Sequence, residues 1–375
     1  MFLGVLTLAP RRAEAYAWMI GHGYSGCSTC HADPSGGGLL IDFGRSEAAD
    51  SLRSHYGSEP PAVDANFGLV KNPDWLLTGA GFRGMVLSMK MDGAPAATSL
   101  IVMQADLRVG LRAGHWRAAG SLGVGQNGNS PAAVAGNLLA REYWLGYAFA
   151  SDTILLRAGR INLPFGVRSI EHTLYVRQAT RTDLNDTQQH GVALAVRAGD
   201  FRGEIEGIAG NFQAREDSFR ERGYSGYVEW SPTSRYAVGA SSLVTHVVED
   251  VYFRAPNTRQ AHGVMLRAAP VDHLVLLGEA DYVIQAPARA ARWSGVATML
   301  QADVEVWQGV HLIGTGETYA SGQPGTTTSW GAWGGVDWFF LSRVDVRLDY
   351  MHRAASYGAV RIPVDAFMAQ FHFFL

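Results

Sequence analysis

Several stretches of this chain alternate polar and apolar residues in strict sequence, and a period of two confines them to half-buried β-strands. Val344, Val346, Leu348 and Tyr350 alternate with Asp345, Arg347, Asp349 and Met351. From Leu300 to Val306 the apolar set Leu300, Ala302, Val304 and Val306 opposes Gln301, Asp303 and Glu305. From Leu100 to Leu111 the reading puts Ile101, Met103, Ala105, Leu107, Val109 and Leu111 on one face, with Gln104, Asp106 and Arg108 on the other. Charges on one strand face suit the solvated side of a sandwich as well as the lumen of a barrel, so periodicity leaves both open.

The connections separate them. Counting from Trp75 gives about 16 strands, an even number within the range of outer-membrane barrels. Tight connections fall at Arg112 to His115, Ser151-Asp152, Gly199-Asp200, Ser231 to Thr233, Ala269-Pro270, Trp307 to Gly309 and Leu341 to Arg343. Between them lie longer ones: Asp92 to Thr98, Asn127 to Gly136, Leu163 to Gln188, Gln213 to Gly223, Glu249 to Thr258, Ala286 to Ala291, Ser321 to Thr328 and Ala354 to Arg361. Short turns on one rim and long loops on the other describe an up-and-down transmembrane barrel. The last strand agrees, since Phe367, Ala369, Phe371, Phe373 and Leu375 alternate to the final residue.

Composition points the same way. Hydrophobic residues make up 47% and charged residues only 17%, below the roughly 25% of soluble domains, while glycine (44) and tryptophan (10) are plentiful. The net charge of −3 is spread without a basic block, which sets nucleic-acid binding aside. No run of about 18 apolar residues predicts a transmembrane helix. The segment 1–17 has a short apolar run followed by Ala13-Glu14-Ala15 and Ala15-Tyr16-Ala17, and reads as the rear of a signal segment, truncated or with a misassigned start.

Both cysteines belong to Cys27-Ser28-Thr29-Cys30-His31. At this spacing two thiols form thioethers with the vinyl groups of one haem and the adjacent imidazole ligates its iron. Zinc would need further ligands at suitable spacing, and a redox dithiol would need a βαβ setting; neither is present. One covalent haem c on Cys27 and Cys30, with His31 as proximal ligand, is the expectation. His22 and His55 are the distal candidates, followed by Met19, Met85, Met89 and Met91, with His172 and His190 behind them. A short helix is expected from Ser46, as N-cap, to Tyr56, with Gly57 as the stop. There is no phosphate-binding glycine loop, no Gly-x-Ser-x-Gly elbow and no His-Glu-x-x-His helix, so no hydrolase or transferase is indicated.

The motif and Phe43-Gly44-Arg45 after it resemble the fused monohaem cytochrome-porins of iron-oxidising bacteria, in which a haem-attachment motif precedes an outer-membrane barrel. Gly159 to Gly166 is similar to a strand-end signature of porins generally. The resemblance implies electron transfer across the outer membrane of a Gram-negative-type bacterium, between an extracellular donor or acceptor, with iron as one candidate, and a periplasmic carrier. The alternative is a diffusion porin whose haem segment is a tethered carrier or redox gate; a soluble periplasmic β-protein with a haem tail is a third reading.

The expected organisation is a signal-like segment (1–17), a haem segment plugging the barrel (18–60), a linker (61–74) and an all-β, antiparallel barrel in lipid (75–375). Leu163 to Gln188 is the third and longest long connection. It carries Arg168, Glu171, His172, Arg177, Arg181, Asp183, Asn185 and Asp186, with His190 just beyond, and is read as a pore constriction or a plug packing the haem, against a solvated extracellular loop.

Overall fold

A computed structural model of the chain describes residues 17–55, 72–124, 138–171, 173–184, 187–213, 215–358 and 360–375. The signal-like run before Ala17, most of the expected linker, the whole of the Asn127 to Gly136 loop, and Tyr56, Gly57, His172, Asn185 and Asp186 lie outside these residues.

The strands are β1 (Leu76–Met91), β2 (Ala97–Ala113), β3 (Trp116–Val124), β4 (Leu138–Leu139), β5 (Tyr143–Phe149), β6 (Ile154–Ile161), β7 (Gln189–Ala198), β8 (Phe201–Gly210) and β9 (Arg222–Thr233). They continue as β10 (Tyr236–Val247), β11 (Asn257–Val271), β12 (Leu274–Pro287), β13 (Trp293–Trp307), β14 (Val310–Ala320), β15 (Ser329–Leu341), β16 (Val344–Tyr357) and β17 (Val360–Phe374). Each pairs antiparallel with its sequence neighbours, and β1 pairs with β17, so the sheet closes. β4 and β5 both pair with β3 and form one wall strand interrupted by a bulge at residues 140–142. The ring therefore has sixteen strand positions.

The burial pattern is inverted relative to a soluble protein. Leu300, Leu348, Tyr350 and Phe367 are exposed on the outer wall, while Gln301, Asp303, Asp345, Arg347 and Asp349 are buried inside. A wall that turns its apolar side chains outward and its charges inward is stable only with lipid around it, so the chain is a transmembrane barrel of the outer-membrane type. Trp75, Trp116, Trp307 and Trp338, all exposed near the tight-turn rim, suit a membrane interface.

The structure corrects the predicted faces of β2. A register shift between Arg83 and Gly84 leaves Met103 as the extra residue, with Gln104 paired to Arg83 and Val102 paired to Gly84. The bulge flips the strand beyond it. Leu107 and Val109 face outward as expected, but Ile101 packs into the lumen, and Leu100 and Val102 take its place outside. The turns expected at Ser231 to Thr233 and Ala269-Pro270 fall later, at 234–235 and 272–273. Irregular register near each accommodates Pro232 and Pro270, which cannot donate to the ladder. The loop expected over Ala354 to Arg361 is mostly strand, since β16 and β17 run on to Tyr357 and from Val360.

Residues 17–55 pack inside the turn-side end of the ring. Met19, Ile20, Cys30, Leu40, Ala48 and Leu52 cluster with Ala237, Met265, Val275, Leu277, Phe339 and Phe374 of the wall. Leu39 packs with Leu77, Ala119, Trp144 and Ile161 on the other side. The expected helix is shorter and begins earlier: a π-helical turn, Gly44–Ala48, runs into α1 (Ala49–Leu52). Arg53 is extended, and the Ser54 amide leaves the helix to bond the Phe339 carbonyl at 2.8 Å.

The inverted faces predict an asymmetric response to charge. Leu300→Arg, at the centre of outward-facing β13, should destabilise the barrel by about 2–4 kcal/mol in lipid vesicles, whereas Gln301→Arg, one residue on but facing the lumen, should cost far less. Denaturant titration of the two refolded variants, followed by tryptophan fluorescence, checks this.

Candidate cofactor site in the barrel lumen

The cysteine motif forms a single tight turn. Cys27–Thr29 is a 3-10 turn, with the Cys30 and His31 amides donating to the Cys27 carbonyl at 3.2 and 3.0 Å. The chain then folds back: Ala32 N–H bonds the Leu39 carbonyl at 2.9 Å and Ile41 N–H bonds the Cys30 carbonyl at 2.8 Å. This small hairpin reverses through Gly36, Gly37 and Gly38, all at positive φ, which other residues adopt only under strain. Phe43 and Tyr24 pack ring to ring at 5.9 Å. Gly44 is required by proximity, since a Cβ there would lie 2.5 Å from the Cys30 carbonyl oxygen. Arg45 ties the segment to the wall, its guanidinium bonding the Thr78 carbonyl of β1 while its own carbonyl accepts from Arg343 Nε at 2.7 Å.

Asp33 is the main electrostatic anchor. Its carboxylate accepts from Arg157 Nη2 of β6 at 3.0 Å, Asn162 Nδ2 at 3.1 Å and the Ser35 amide at 3.0 Å. Arg157 also bonds Glu204 of β8, and all three charged side chains are fully buried. Burial alone would raise the Asp33 pKa, but Arg157, Arg168, Asn162 and the Ser35 amide together hold it below its ordinary value. The hairpin is fixed from the other side by Glu142, whose Oε1 accepts the Leu39 amide at 3.2 Å.

The third long connection folds into the lumen above this segment. It contains α2 (Tyr175–Thr180), and Leu163, Phe165, Leu174 and Val176 pack against inward residues of the wall such as Ile208, Leu243, Met299 and Met351. The Val167 amide bonds Glu279 at 2.9 Å, the Tyr175 amide bonds Glu317 at 2.7 Å, and Glu171 pairs with Arg347. Arg353 lies between the Tyr175 and Trp333 rings, at 4.6 and 4.9 Å from their centroids. Loop and segment meet directly, through Arg168 Nη2 to Ser35 Oγ at 2.6 Å and Asn162 to Asp33.

Void space borders the motif. A cavity of about 340 Å³ lies beside His31 and Ser28, within the range that takes small organic ligands. Its walls join apolar groups such as Ala32, Leu77, Trp144 and Leu155 to the guanidinium-bearing Arg112, Arg117, Arg197 and Arg202. A smaller cavity adjoins Cys27, and one of about 150 Å³ separates His31 from the inward loop. The donor types, two buried thiols with an adjacent imidazole, are those that a covalently attached haem requires; His31 lines the larger cavity, Cys27 the small one, and Cys30 packs in the apolar cluster beside Leu40.

The distal candidates are scattered. His22 lies 3.8 Å from Glu305 of β13. Burial lowers the His22 pKa despite Glu305, which keeps its imidazole neutral near pH 7. His55 is exposed beside Ser54, which bonds the turn at Gln308. Met19 is buried in the cluster that holds Cys30; Met85 lies among the residues around the inward loop; Met89 packs on that cluster, and Met91 is exposed. His190 bonds the Tyr143 hydroxyl at 2.5 Å. Among the described residues lining the larger cavity, none but His31 is histidine or methionine; the cavity between His31 and the inward loop also has His372, and Met265 lines the cavity at Cys27. Sequence reading passed over Asp33, Glu142, Arg157 and Arg202. Only Asp33, two residues after the motif, carried a positional hint.

A closed sixteen-position ring with a charged lumen, an apolar exterior and an inward third long loop defines a porin-type barrel. Solved structures agree in fold. OmpT of Vibrio cholerae lacking loop L8 matches with a TM-score of 0.61 at 12% identity, covering 80% of this chain and 99% of that one. An anion-selective porin from Comamonas acidovorans matches at 0.59 and 11%, covering 80% and 99%. The outer membrane channel DcaP of Acinetobacter baumannii matches at 0.57 and 14%, covering 81% and 99%. No known family's sequence profile and no curated protein sequence matches the chain.

Removing the Asp33 carboxylate would leave Arg157 with Glu204 alone and the segment without its anchor. Asp33→Ala should cost about 3–5 kcal/mol and expose residues 17–55 to protease added from the turn side. Acid should act in the same way: with a lowered folded pKa, the contribution of Asp33 is complete above its unfolded value and is lost as pH falls through the folded one. Limited proteolysis of the purified protein between pH 7 and pH 3 reads both effects.

Proposed function

We propose that this chain is an outer-membrane porin-type barrel carrying one covalent haem c on Cys27 and Cys30, with His31 as the proximal iron ligand. Its role is to pass electrons between an extracellular donor or acceptor, with iron as one candidate, and a periplasmic carrier. The observation that carries this reading is the placement of the motif. Residues 17–55 lie within the ring, clamped by Asp33 to Arg157 and by Arg45 to β1, and the inward loop sits directly above them. A hydrocarbon core of about 30 Å is too wide for one redox centre placed outside the barrel to serve both faces. A centre held in the lumen at the turn-side end shortens the gap to the opposite face.

When bound, haem would supply a one-electron couple at this position. The chain's own residues supply the rest: Cys27 and Cys30 as attachment points, His31 as ligand, Asp33 and Glu142 as fixed supports of the hairpin, and the inward loop as a cover over the motif. The second reading, a diffusion porin in which the same segment is a tethered carrier or redox gate, draws on the fold shared with porins and on the cavity between segment and loop.

Planar-bilayer conductance, combined with reduced-minus-oxidised spectra of the same preparation, separates the two. A reducible c-type band with little ion current is the expected result; the same band with a large current moves the assignment to the gated porin. A protein from cells competent in haem attachment that shows no covalent haem overturns both.

A further inference from the structure

Two of the guanidiniums lining the cavity at Cys27 share one acid. Glu229 of β9 accepts from Arg202 Nε at 2.7 Å and from Arg267 Nη2 at 2.6 Å and Nε at 3.1 Å. Arg202 lies where the cavity at His31 meets the cavity at Cys27 and lines both. Its Nη1 is buried and has no hydrogen-bond partner among the described residues. A buried guanidinium N–H without an acceptor is costly, and its placement points to an anion at that spot. Arg197, which lines the larger cavity, makes a 3.4 Å side-chain contact to Ser28 Oγ, inside the motif itself.

The anion is defined by the rest of the wall. Leu77, Trp144, Leu155 and Ala195 line the same cavity. A hydrated inorganic anion gains nothing from such a surface, whereas a flat apolar molecule bearing a carboxylate is satisfied at both ends. We infer that Arg202 binds a carboxylate of the haem attached at Cys27 and Cys30, with Arg197 as a second cation lining the larger cavity. The inference rests on the haem reading above and adds the residues that orient the group and set its charge environment. A guanidinium beside the haem disfavours the oxidised, more positive state, so Arg202 holds the midpoint potential up.

The test uses the full chain, purified in detergent from cells that attach c-type haem. Arg202→Gln is expected to retain covalent haem, seen by haem staining and the pyridine haemochrome band, and to shift the midpoint potential downward. Arg202→Lys, which keeps the charge but not the fork, should recover part of that shift. Arg235→Gln, which removes an exposed rim arginine paired with Asp272, should leave the potential at the wild-type value. Arg197→Gln should shift it in the same direction by less, and carries the test if Arg202→Gln does not fold. Wild-type potentials in both Arg202→Gln and Arg197→Gln would overturn the inference while leaving the haem assignment intact. A wild-type protein without haem would instead remove the reading on which it rests.

Discussion

Closure of the ring between β1 and β17 is the constraint on which the remaining structure depends. In hydrocarbon no water is available to satisfy a free strand edge, so the ladder from Gly81 paired with Phe374 to Met91 paired with Val364 has to form for any of the wall to be stable. Once the ring is closed, every strand has one side toward lipid and one toward the lumen, and the alternation of side chains becomes an alternation of solvents. Apolar residues that would form the core of a soluble protein face outward. Charged residues are gathered into a space only a barrel's width across.

That confinement gives the lumen its chemistry. The N-terminal segment cannot be held by an apolar core alone, because much of the lumen wall is polar, and it is held by a mixture. Apolar contacts such as Leu39 on Leu77 and Trp144 place it, and buried ion pairs such as Asp33 with Arg157 fix its register. Such pairs are sensitive to the loss of one partner, since the survivor is left charged in a poorly solvated site. The same logic holds for the inward loop, whose backbone amides at Val167 and Tyr175 bond wall carboxylates Glu279 and Glu317. Segment and loop are then coupled through Arg168 and Asn162, so displacement of one disturbs the other.

The wall was largely legible in advance because its signal is local. Alternation in Val344 to Met351 and Leu300 to Val306 reads directly onto the observed faces, and the contrast between tight turns and long loops identifies the two rims. Where reading failed, it failed at irregularities. The bulge at Met103 reverses the faces beyond it, and that reversal is set by the partner strand's register at Arg83 and Gly84. The turns near Pro232 and Pro270 moved for a similar reason. The helix after the cysteine motif ended early because Ser54 found a partner in Phe339, far away in sequence.

The site divides along the same line. The sequence by itself determined the order and spacing of the two thiols and the imidazole, and the strand periodicity of the chain that follows, since all of these are properties of neighbouring residues. Only the tertiary structure decided that the motif lies within the ring, that Asp33 meets Arg157, that His22 meets Glu305, and that Arg202 presents a buried donor in the cavities lined by His31 and by Cys27. Those relations join residues more than a hundred positions apart, and no local pattern carries them: they exist because a closed sheet brings its first and last strands together around whatever it encloses.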